Sequence, residues 1–227
     1  FPGRPSEPTA ANCETACAVV EATDADLGVV HDGDADRMMA IDERGRFVSG
    51  DALLALFARR EVEAGDRVAV PVDTSLLVAD VLADIGADVT YTPVGDAYVA
   101  VEAAKPGVAF GGEPSGAWIW PERTLCPDGP LAACVLTALV GAEGSLAAPV
   151  DDLPDYPTRR DSVRTGAKSA IVRRAGEGRA GTVGAGFVFD NGFGCFGGLE
   201  VVFGEDGGDV VGVGDGAVGD VGAVLVI

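Results

Sequence analysis

The sequence predicts an α/β fold, in which the strands of a mixed or parallel sheet alternate with covering helices. Short apolar runs bounded by turn residues alternate with longer runs of helical spacing. Acidic and polar residues follow several of the apolar runs, as expected where ligands meet the carboxyl ends of strands. Hydrophobic residues make up 48 % of the 227 residues, which is enough for a buried core although only 6 % are aromatic.

The first predicted unit is a helix followed by a strand, a loop and a second strand. Residues 9–22 have alanine and valine at helical spacing behind a capping threonine. Residues 26–30 form a short apolar strand that runs into an acidic loop, and residues 38–42 form the returning strand. A turn over residues 43–46 ends the unit.

The second predicted unit repeats the alternation of helix and strand. Its helices are predicted at 52–60, 76–85, 98–104 and 131–140, and its strands at 67–72, 88–92 and 108–112. Residues 142–157 contain three prolines without periodicity and are predicted to be a linker. Residues 159–174 open a further unit.

The composition changes after Ala175. About half of the 33 glycines fall in this last stretch, which is a low-complexity mixture of glycine, valine, aspartate and alanine. Glycine at this density weakens both helices and strands. One interpretation is a glycine-rich β meander. The other is a frame-shifted or otherwise corrupted reading, because the codons of all four residues begin with G.

The charge of the chain limits its partners. Lysine and arginine total 16 against 36 acidic residues, a net charge of −20, which repels nucleic acid and anionic membranes. A phosphate ligand therefore needs local arginine or a metal. We interpret the acidic surface as solvation in the salt-rich cytosol of a halophile, with a cationic partner as the alternative. No apolar run is long enough to span a bilayer.

The cysteines and the N-terminus point to the cytoplasm. The five cysteines are odd in number and form no C-x-x-C pair, so we expect buried thiols in a reducing compartment rather than disulfides or a zinc site. The first residues contain neither a signal peptide nor a starting methionine. We therefore expect the chain to begin inside a longer protein.

The acidic loop carries the most specific motif. Asp32, Asp34 and Asp36 stand at alternate positions, so their carboxylates can converge on one hard cation such as Mg²⁺. Arg37 follows and can hold a phosphate group as a planar fork. A solvated acidic turn is one alternative, and an EF-hand loop, whose downstream glycine and terminal glutamate at position twelve are both expected to be missing, is another. His31, the single histidine, is interpreted as a packed residue at the strand end.

Two further motifs follow predicted strands. Glu113 and Ser115 lie two residues apart between glycines, where a carboxylate and a hydroxyl can together bind vicinal sugar hydroxyls. Gly95 and Asp96 follow another strand. Each motif alone is equally typical of a simple turn. The nearby tryptophans, Trp118 and Trp120, are expected to serve packing.

Taken in order, these motifs resemble the α-D-phosphohexomutase family, which includes phosphoglucomutase, phosphomannomutase and phosphoglucosamine mutase. Members have four domains around a cleft. Residues 32–37 match the metal loop of the second domain, and residues 113–116 match the sugar loop of the third. The N-terminal segment, residues 1–4, is similar to a segment of the archaeal branch. The resemblance covers residues 1–174.

The resemblance implies an isomerase that interconverts hexose 1-phosphate and 6-phosphate through a phosphoserine and a bisphosphate intermediate. It implies two α/β domains with mixed sheets and a degenerate α+β C-terminal domain. Residues 1–47 would be the end of the second domain, residues 48–148 the third, and residues 149–227 a linker and the start of the fourth. The implied site consists of Mg²⁺ on Asp32, Asp34 and Asp36, the catalytic residue Arg37, and the substrate-binding residues Glu113, Ser115, Gly95 and Asp96.

Two family motifs are missing from the 227 residues. No phosphoserine loop of the Thr/Ser-x-Ser-His-Asn-Pro type occurs, and no Arg-x-Ser-Gly-Thr-Glu-Pro phosphate loop occurs in the tail. We therefore expect no mutase activity from this chain alone. Specificity for glucosamine phosphate and a non-catalytic remnant that binds metal or sugar phosphate remain alternatives.

Overall fold

The computed structural model describes residues 2–156 and four later strands. The helices are α1 (Glu14–Thr23), α2 (Gly50–Glu61), α3 (Leu76–Ala83), α4 (Asp96–Ala103), α5 (Gly129–Glu143) and α6 (Ala147–Asp151), with a 3₁₀ turn (Ala11–Cys13) before α1. The strands of residues 2–156 are β1 (Leu27–His31), β2 (Met38–Asp42), β3 (Arg67–Pro71), β4 (Asp88–Thr92), β5 (Val108–Gly112) and β6 (Trp118–Ile119). The predicted α/β class is confirmed for this region.

The first unit is a β-hairpin covered by α1. Strands β1 and β2 pair antiparallel, from Leu27 opposite Asp42 to His31 opposite Met38. Apolar side chains of α1 and its preceding turn form a small core with those of the hairpin. The acidic loop of residues 32–37 is therefore the connection of the hairpin, held in place at both ends.

The second unit is a mixed sheet with strand order β4-β3-β5-β6. Strand β3 pairs parallel with both β4 and β5, and β6 pairs antiparallel with β5. The chain leaves β3 towards β4 on one side and returns past it to β5 on the other. The carboxyl ends of β4, β3 and β5 therefore meet at one edge, where a strand order of this kind opens a crevice.

The two faces of this sheet are buried in different cores. Val68 and Val70 pack in the main core with apolar residues of α2, α3 and α5, together with Phe110 and Trp118. Ala69 points the other way, into a smaller cluster with residues of α4. Because successive residues of a strand point to opposite faces and each face is buried in a core, the strands are apolar at every position. Both Trp118 and Trp120 are buried, in agreement with the packing role expected from the sequence.

One predicted loop contains a helix. Helix α6 lies inside the linker predicted for residues 142–157, so that prediction is wrong for this part. The Glu43 carboxylate accepts hydrogen bonds from the backbone N–H groups of Leu146 and Ala147, at 3.2 and 3.1 Å, and from the Ser145 hydroxyl. The helix is thus capped by a side chain from the turn after β2, which local sequence does not reveal.

The cysteine prediction is half right. The four cysteines of residues 2–156 are free thiols, and Cys13 is buried while Cys17 is half-buried. Cys126 and Cys134 are exposed, which contradicts the expectation of buried thiols. Cys195 lies outside the described residues.

The later strands are β7 (Arg160–Val163), β8 (Ala185–Phe189), β9 (Leu199–Phe203) and β10 (Ala223–Val226). They form a sheet in the order β7-β10-β9-β8. Because β10 pairs parallel with β9, this sheet is not a simple meander. The corrupted-reading hypothesis stays a hypothesis, and most of the tail it concerns lies outside the described residues. Within the part of the chain that the structure describes, no helix is both long and apolar enough to cross a bilayer.

Candidate functional site

The acidic loop brings its three carboxylates together. Asp32, Asp34 and Asp36 each offer an oxygen, and these oxygens all lie within 4.8 Å of one another. The backbone N–H of Arg37 donates to Oδ1 of Asp32 at 3.2 Å, which ties the end of the loop to its start. Ala35 adopts a left-handed conformation with φ of 63°, an unusual geometry for a residue other than glycine. The loop is thus bent so that alternate side chains converge.

The convergence has an electrostatic cost. The pKa of Asp36 is raised to about 6, first by burial and then by the neighbouring carboxylates of Asp32 and Asp34, against a lowering effect of Arg37. A bound cation would relieve this repulsion between carboxylates, and an all-oxygen set of ligands suits Mg²⁺. The residues present therefore fit the predicted metal.

Two arginines flank the loop. The Nε atom of Arg37 lies 3.9 Å from Oδ2 of Asp32, and its Nη1 atom lies 3.7 Å from Oε1 of Glu7. Arg4 donates from Nη2 to the backbone carbonyl of His31 at 2.6 Å. This contact of Arg4 could not be predicted from the sequence, because 27 residues separate Arg4 from His31. The side chain of Arg37 is 39 % exposed, so it can contact a ligand.

The single histidine packs at the strand end, as interpreted from the sequence. Its Nδ1 atom lies 3.0 Å from the carbonyl oxygen of Arg37. The first residue of α5, Gly129, lies against the same place: a Cβ atom there would stand 2.4 Å from the carbonyl oxygen of Ala35 and 2.9 Å from His31 Nδ1. Only glycine allows α5 to approach the acidic loop so closely.

The EF-hand alternative fails on the twelfth position. Counted from Asp32, that position is Glu43, so the expectation that the terminal glutamate is missing is wrong. Its carboxylate is bound to the N-terminus of α6 and to Ser145 instead. These hydrogen bonds, with that of Ser145 first among them, lower the pKa of Glu43 against the effect of burial. The terminal ligand of an EF-hand is therefore engaged elsewhere.

The sugar-loop residues predicted from the sequence also meet. Glu113, which is 9 % exposed, accepts a hydrogen bond from the backbone N–H of Gly95 at 2.7 Å and one from the hydroxyl of Ser115 at 3.1 Å. Asp96 is exposed and accepts from the backbone N–H of Ala97. The loops that follow β4 and β5 are thus joined through one carboxylate.

Glu113 is poised between its two charge states. Burial, and then the negative charge of Asp73 and of Asp96, raise its pKa to about 7, although the hydrogen bonds from Gly95 and Ser115 act in the opposite direction. Asp73 follows β3, the central strand, and was not singled out in the sequence. A lone aspartate after a strand has no spacing pattern that would mark it.

The metal loop and the sugar loop are fastened to each other. Arg37, the last residue of the metal loop, forms an isolated antiparallel bridge with Ala117. The N–H of Met38 donates to the carbonyl of Gly116 at 2.9 Å, and the indole N–H of Trp118 donates to the carbonyl of Met38 at 2.7 Å. Two motifs far apart in the sequence therefore share one backbone junction.

The sugar loop is also fixed from behind by α2. A Cβ atom on Gly50, the first residue of α2, would stand 1.7 Å from the carbonyl oxygen of Pro114. The backbone of the sugar loop therefore rests directly on the backbone of the helix. Ser49 caps this helix by accepting from the N–H of Ala52 at 3.2 Å.

Comparison with protein families gives two matches. Residues 49–156 match alpha/beta/alpha domain III of phosphoglucomutase/phosphomannomutase, and residues 1–45 match alpha/beta/alpha domain II. A probable phosphoglucosamine mutase of Methanothermobacter thermautotrophicus is 49 % identical over 163 residues, which are 72 % of this chain and 35 % of that protein. Its counterpart in Methanocella arvoryzae is 48 % identical over 164 residues, 72 % of this chain and 36 % of that protein.

Solved structures show the same fold. A phosphoglucomutase/phosphomannomutase family protein of Burkholderia thailandensis has a TM-score of 0.70 at 22 % identity, over 88 % of this chain and 42 % of that one. A putative phosphomannomutase of Thermus thermophilus has a TM-score of 0.64 at 25 % identity, over 90 % of this chain and 44 % of that one. The chain spans 35–38 % of the length of the curated relatives it matches.

Proposed function

Because the chain belongs to the α-D-phosphohexomutase family, we propose that it is the metal-binding and sugar-binding part of an isomerase that interconverts hexose 1-phosphates and 6-phosphates. The observation that carries the proposal is the junction between the two loops. It holds the carboxylates of the metal loop and the polar groups of the sugar loop on one framework. A phosphosugar needs both a cationic place for its phosphate and neutral or acidic partners for its hydroxyls.

The proposal gives each group a role. Asp32, Asp34 and Asp36 would hold Mg²⁺, which supplies charge neutralisation for a phosphoryl group. Arg37 binds and orients a phosphoryl oxygen beside them, since its guanidinium is partly exposed next to Asp32.

On the sugar side, Glu113 and Ser115 bind hydroxyl groups, and the backbone of Gly95 fixes the orientation of Glu113. Asp96 is exposed beside Gly95, at the end of the loop that follows β4. Like the metal ligands, these residues were all assigned from the sequence, and their roles remain part of the proposal.

The names of the archaeal relatives support a finer statement. Several are named probable phosphoglucosamine mutases, so we take glucosamine phosphate as the first substrate to test, with glucose and mannose phosphates beside it. The free thiols of Cys13 and Cys17 fit a reducing compartment, so the activity is assigned to the cytoplasm.

The proposal is tested by binding, because the phosphoserine motif of the family does not occur in these residues. We expect calorimetric titration of the 227-residue chain to show binding of Mg²⁺ and of a hexose 6-phosphate, with tighter binding of the sugar phosphate when Mg²⁺ is present. Unphosphorylated glucose serves as the matched control and should bind far more weakly. A chain that binds no hexose phosphate at millimolar concentration, with or without Mg²⁺, contradicts the proposal.

A further inference from the structure

The segment that precedes the first helix contacts the metal loop at both of its ends. We call residues 4–8 the N-terminal strap. The Nη2 atom of Arg4 donates at 2.6 Å to the carbonyl oxygen of His31, the residue directly before the first aspartate of the loop. The Oε1 atom of Glu7 lies 3.7 Å from Nη1 of Arg37, the last residue of the loop. The strap is therefore connected to the start and to the end of the metal loop.

A single side chain links the strap to the start of the loop. Besides its hydrogen bond to His31, Arg4 donates from Nη1 to the carbonyl oxygens of Pro5 and Ser6, both at 2.8 Å. The planar guanidinium presents its donors in fixed directions. It therefore holds the backbone of its own segment and the backbone before the metal loop in one arrangement.

The far end of the strap is fixed next to the first helix. Pro8 is buried. The carbonyl oxygen of Glu7 accepts a hydrogen bond at 2.9 Å from the side-chain amide of Asn12, which belongs to the 3₁₀ turn before α1. The strap is thus anchored to the fold by contacts that do not involve Arg4, so Arg4 can hold the loop against a fixed support.

The end of the loop is positioned relative to the same histidine. The Nδ1 atom of His31 lies 3.0 Å from the carbonyl oxygen of Arg37, and the N–H of Arg37 donates to Asp32. A Cβ atom on Gly129 would stand 2.9 Å from that carbonyl oxygen. The position of the loop therefore depends on where His31 is held, and Arg4 holds its carbonyl oxygen.

Such positioning matters more for Mg²⁺ than for a larger cation of the same charge. Mg²⁺ requires nearly octahedral ligands at about 2.0–2.1 Å, whereas Ca²⁺ accepts a flexible set of oxygens over a wider range of distances. Residues that orient metal ligands without binding the metal commonly change the metal affinity by about 10- to 100-fold. A displacement of Asp32 should therefore weaken Mg²⁺ binding more than Ca²⁺ binding.

Building on the proposed function, we propose that Arg4 is a positioning residue of the metal loop, which places Asp32 through the carbonyl group of His31 and thereby raises the affinity for Mg²⁺. The sign of the effect separates this role from an effect of charge. By charge alone, a guanidinium near the loop repels a cation, so its removal would tighten cation binding. Positioning predicts weaker binding when Arg4 is replaced.

The test compares two cations and four forms of the chain. Mg²⁺ and Ca²⁺ are titrated separately at pH 7, by calorimetry, into the native chain, Arg4→Ala, Arg4→Lys and Arg60→Ala. Arg60 is exposed in the last turn of α2, so Arg60→Ala changes the net charge as Arg4→Ala does. Thermal unfolding without metal shows whether each variant is folded.

We expect Arg4→Ala to bind Mg²⁺ about tenfold more weakly than the native chain, and Ca²⁺ at most about twofold more weakly. Arg60→Ala should match the native chain with both cations. Arg4→Lys should show the same change as Arg4→Ala in a smaller size, because lysine keeps the charge but not the planar fork.

Unchanged or tighter Mg²⁺ binding in a folded Arg4→Ala variant would overturn the inference, and so would an equal loss for both cations. If Arg4→Ala does not fold, an unchanged ratio of the two affinities in Arg4→Lys overturns it. A native chain that binds neither cation would instead contradict the metal site of the proposed function.

Discussion

The metal loop and the sugar loop both gather carboxylates, but they manage the resulting repulsion in opposite ways. In the metal loop, Asp34 is exposed and Asp32 and Asp36 are half-buried, and their oxygens face one another. In the sugar loop, Glu113 is buried and receives hydrogen bonds from neutral donors. One loop is arranged to be completed by a cation from solution, whereas the other can take up a proton.

The difference shows how one framework could bind both ends of a phosphosugar, as the proposed function requires. A site that binds a divalent cation needs water access and several unprotonated carboxylates. A site that binds hydroxyl groups needs a fixed, partly dehydrated acceptor, and burial supplies this at the expense of a raised pKa. The junction from Arg37 to Ala117 allows both environments to stand side by side.

The largest expected effect concerns the metal loop. Changing Asp32 and Asp36 together to asparagine keeps the shape of the loop but removes two negative charges from the predicted ligand set. We expect the affinity for Mg²⁺ to fall by at least about 100-fold, measured by calorimetric titration. The control is Asp24→Asn, an exposed position with φ of 50° that asparagine tolerates. Unchanged Mg²⁺ binding in the double variant would mean that the cation binds elsewhere.

The second effect concerns the sugar loop and its pH dependence. The folded-state pKa of Glu113 is about 7, above the ordinary value of 4.5, so the folded state holds this proton more strongly than the unfolded state. Protonated Glu113 therefore contributes to the free energy of unfolding. This contribution is fully present below pH 4.5 and is lost as the pH rises through 7. Glu113→Gln, which stays neutral, should therefore gain about 3 kcal/mol relative to the native chain between pH 4.5 and pH 8.

Urea unfolding of both forms across this pH range measures the difference. Comparing two forms at each pH cancels the contribution of other groups that titrate in both, including Asp36. A stability difference that stays constant from pH 4.5 to pH 8 would show that Glu113 has an ordinary pKa and that the contrast between the loops is wrong.

The smallest effect concerns Ser115. Its hydroxyl donates to Oε2 of Glu113 and lowers the pKa of that carboxyl. Ser115→Ala should destabilise the chain by about 0.5–1 kcal/mol at pH 8, where Glu113 is charged, and by less at pH 5. The same unfolding measurement detects it, and a carboxyl resonance of Glu113 should titrate at higher pH in the variant. An unmoved resonance would contradict the hydrogen bond.

Much of the fold could be predicted because the signals are local. Three strands, Met38–Asp42, Asp88–Thr92 and Val108–Gly112, have the bounds expected from their apolar runs. Helix α6 was missed because its cap comes from Glu43, about 100 residues earlier in the chain. Strand β6 was missed because two residues are too few to form a pattern.

The candidate site shows the same limit. The site residues Asp32, Asp34 and Asp36 could be identified in the sequence by their spacing, and Glu113 by its flanking glycines. Asp73 and Arg4 have no such spacing, and only the folded chain brings them to the site. The junction between the loops depends on partners such as Met38 and Trp118, which are 80 residues apart. Met38 and Trp118 belong to different sheets, so this contact depends on how the hairpin packs against the mixed sheet, which single-sequence patterns do not determine.

The contact between Gly50 and Pro114 has a consequence for how a ligand can turn over in the site. With 1.7 Å between a would-be Cβ atom and the carbonyl oxygen, the sugar loop has no room to retreat towards α2. The backbone of the sugar loop therefore cannot shift towards α2. Under the proposed function, a hexose phosphate bound in either orientation would therefore meet the same fixed loop on this side.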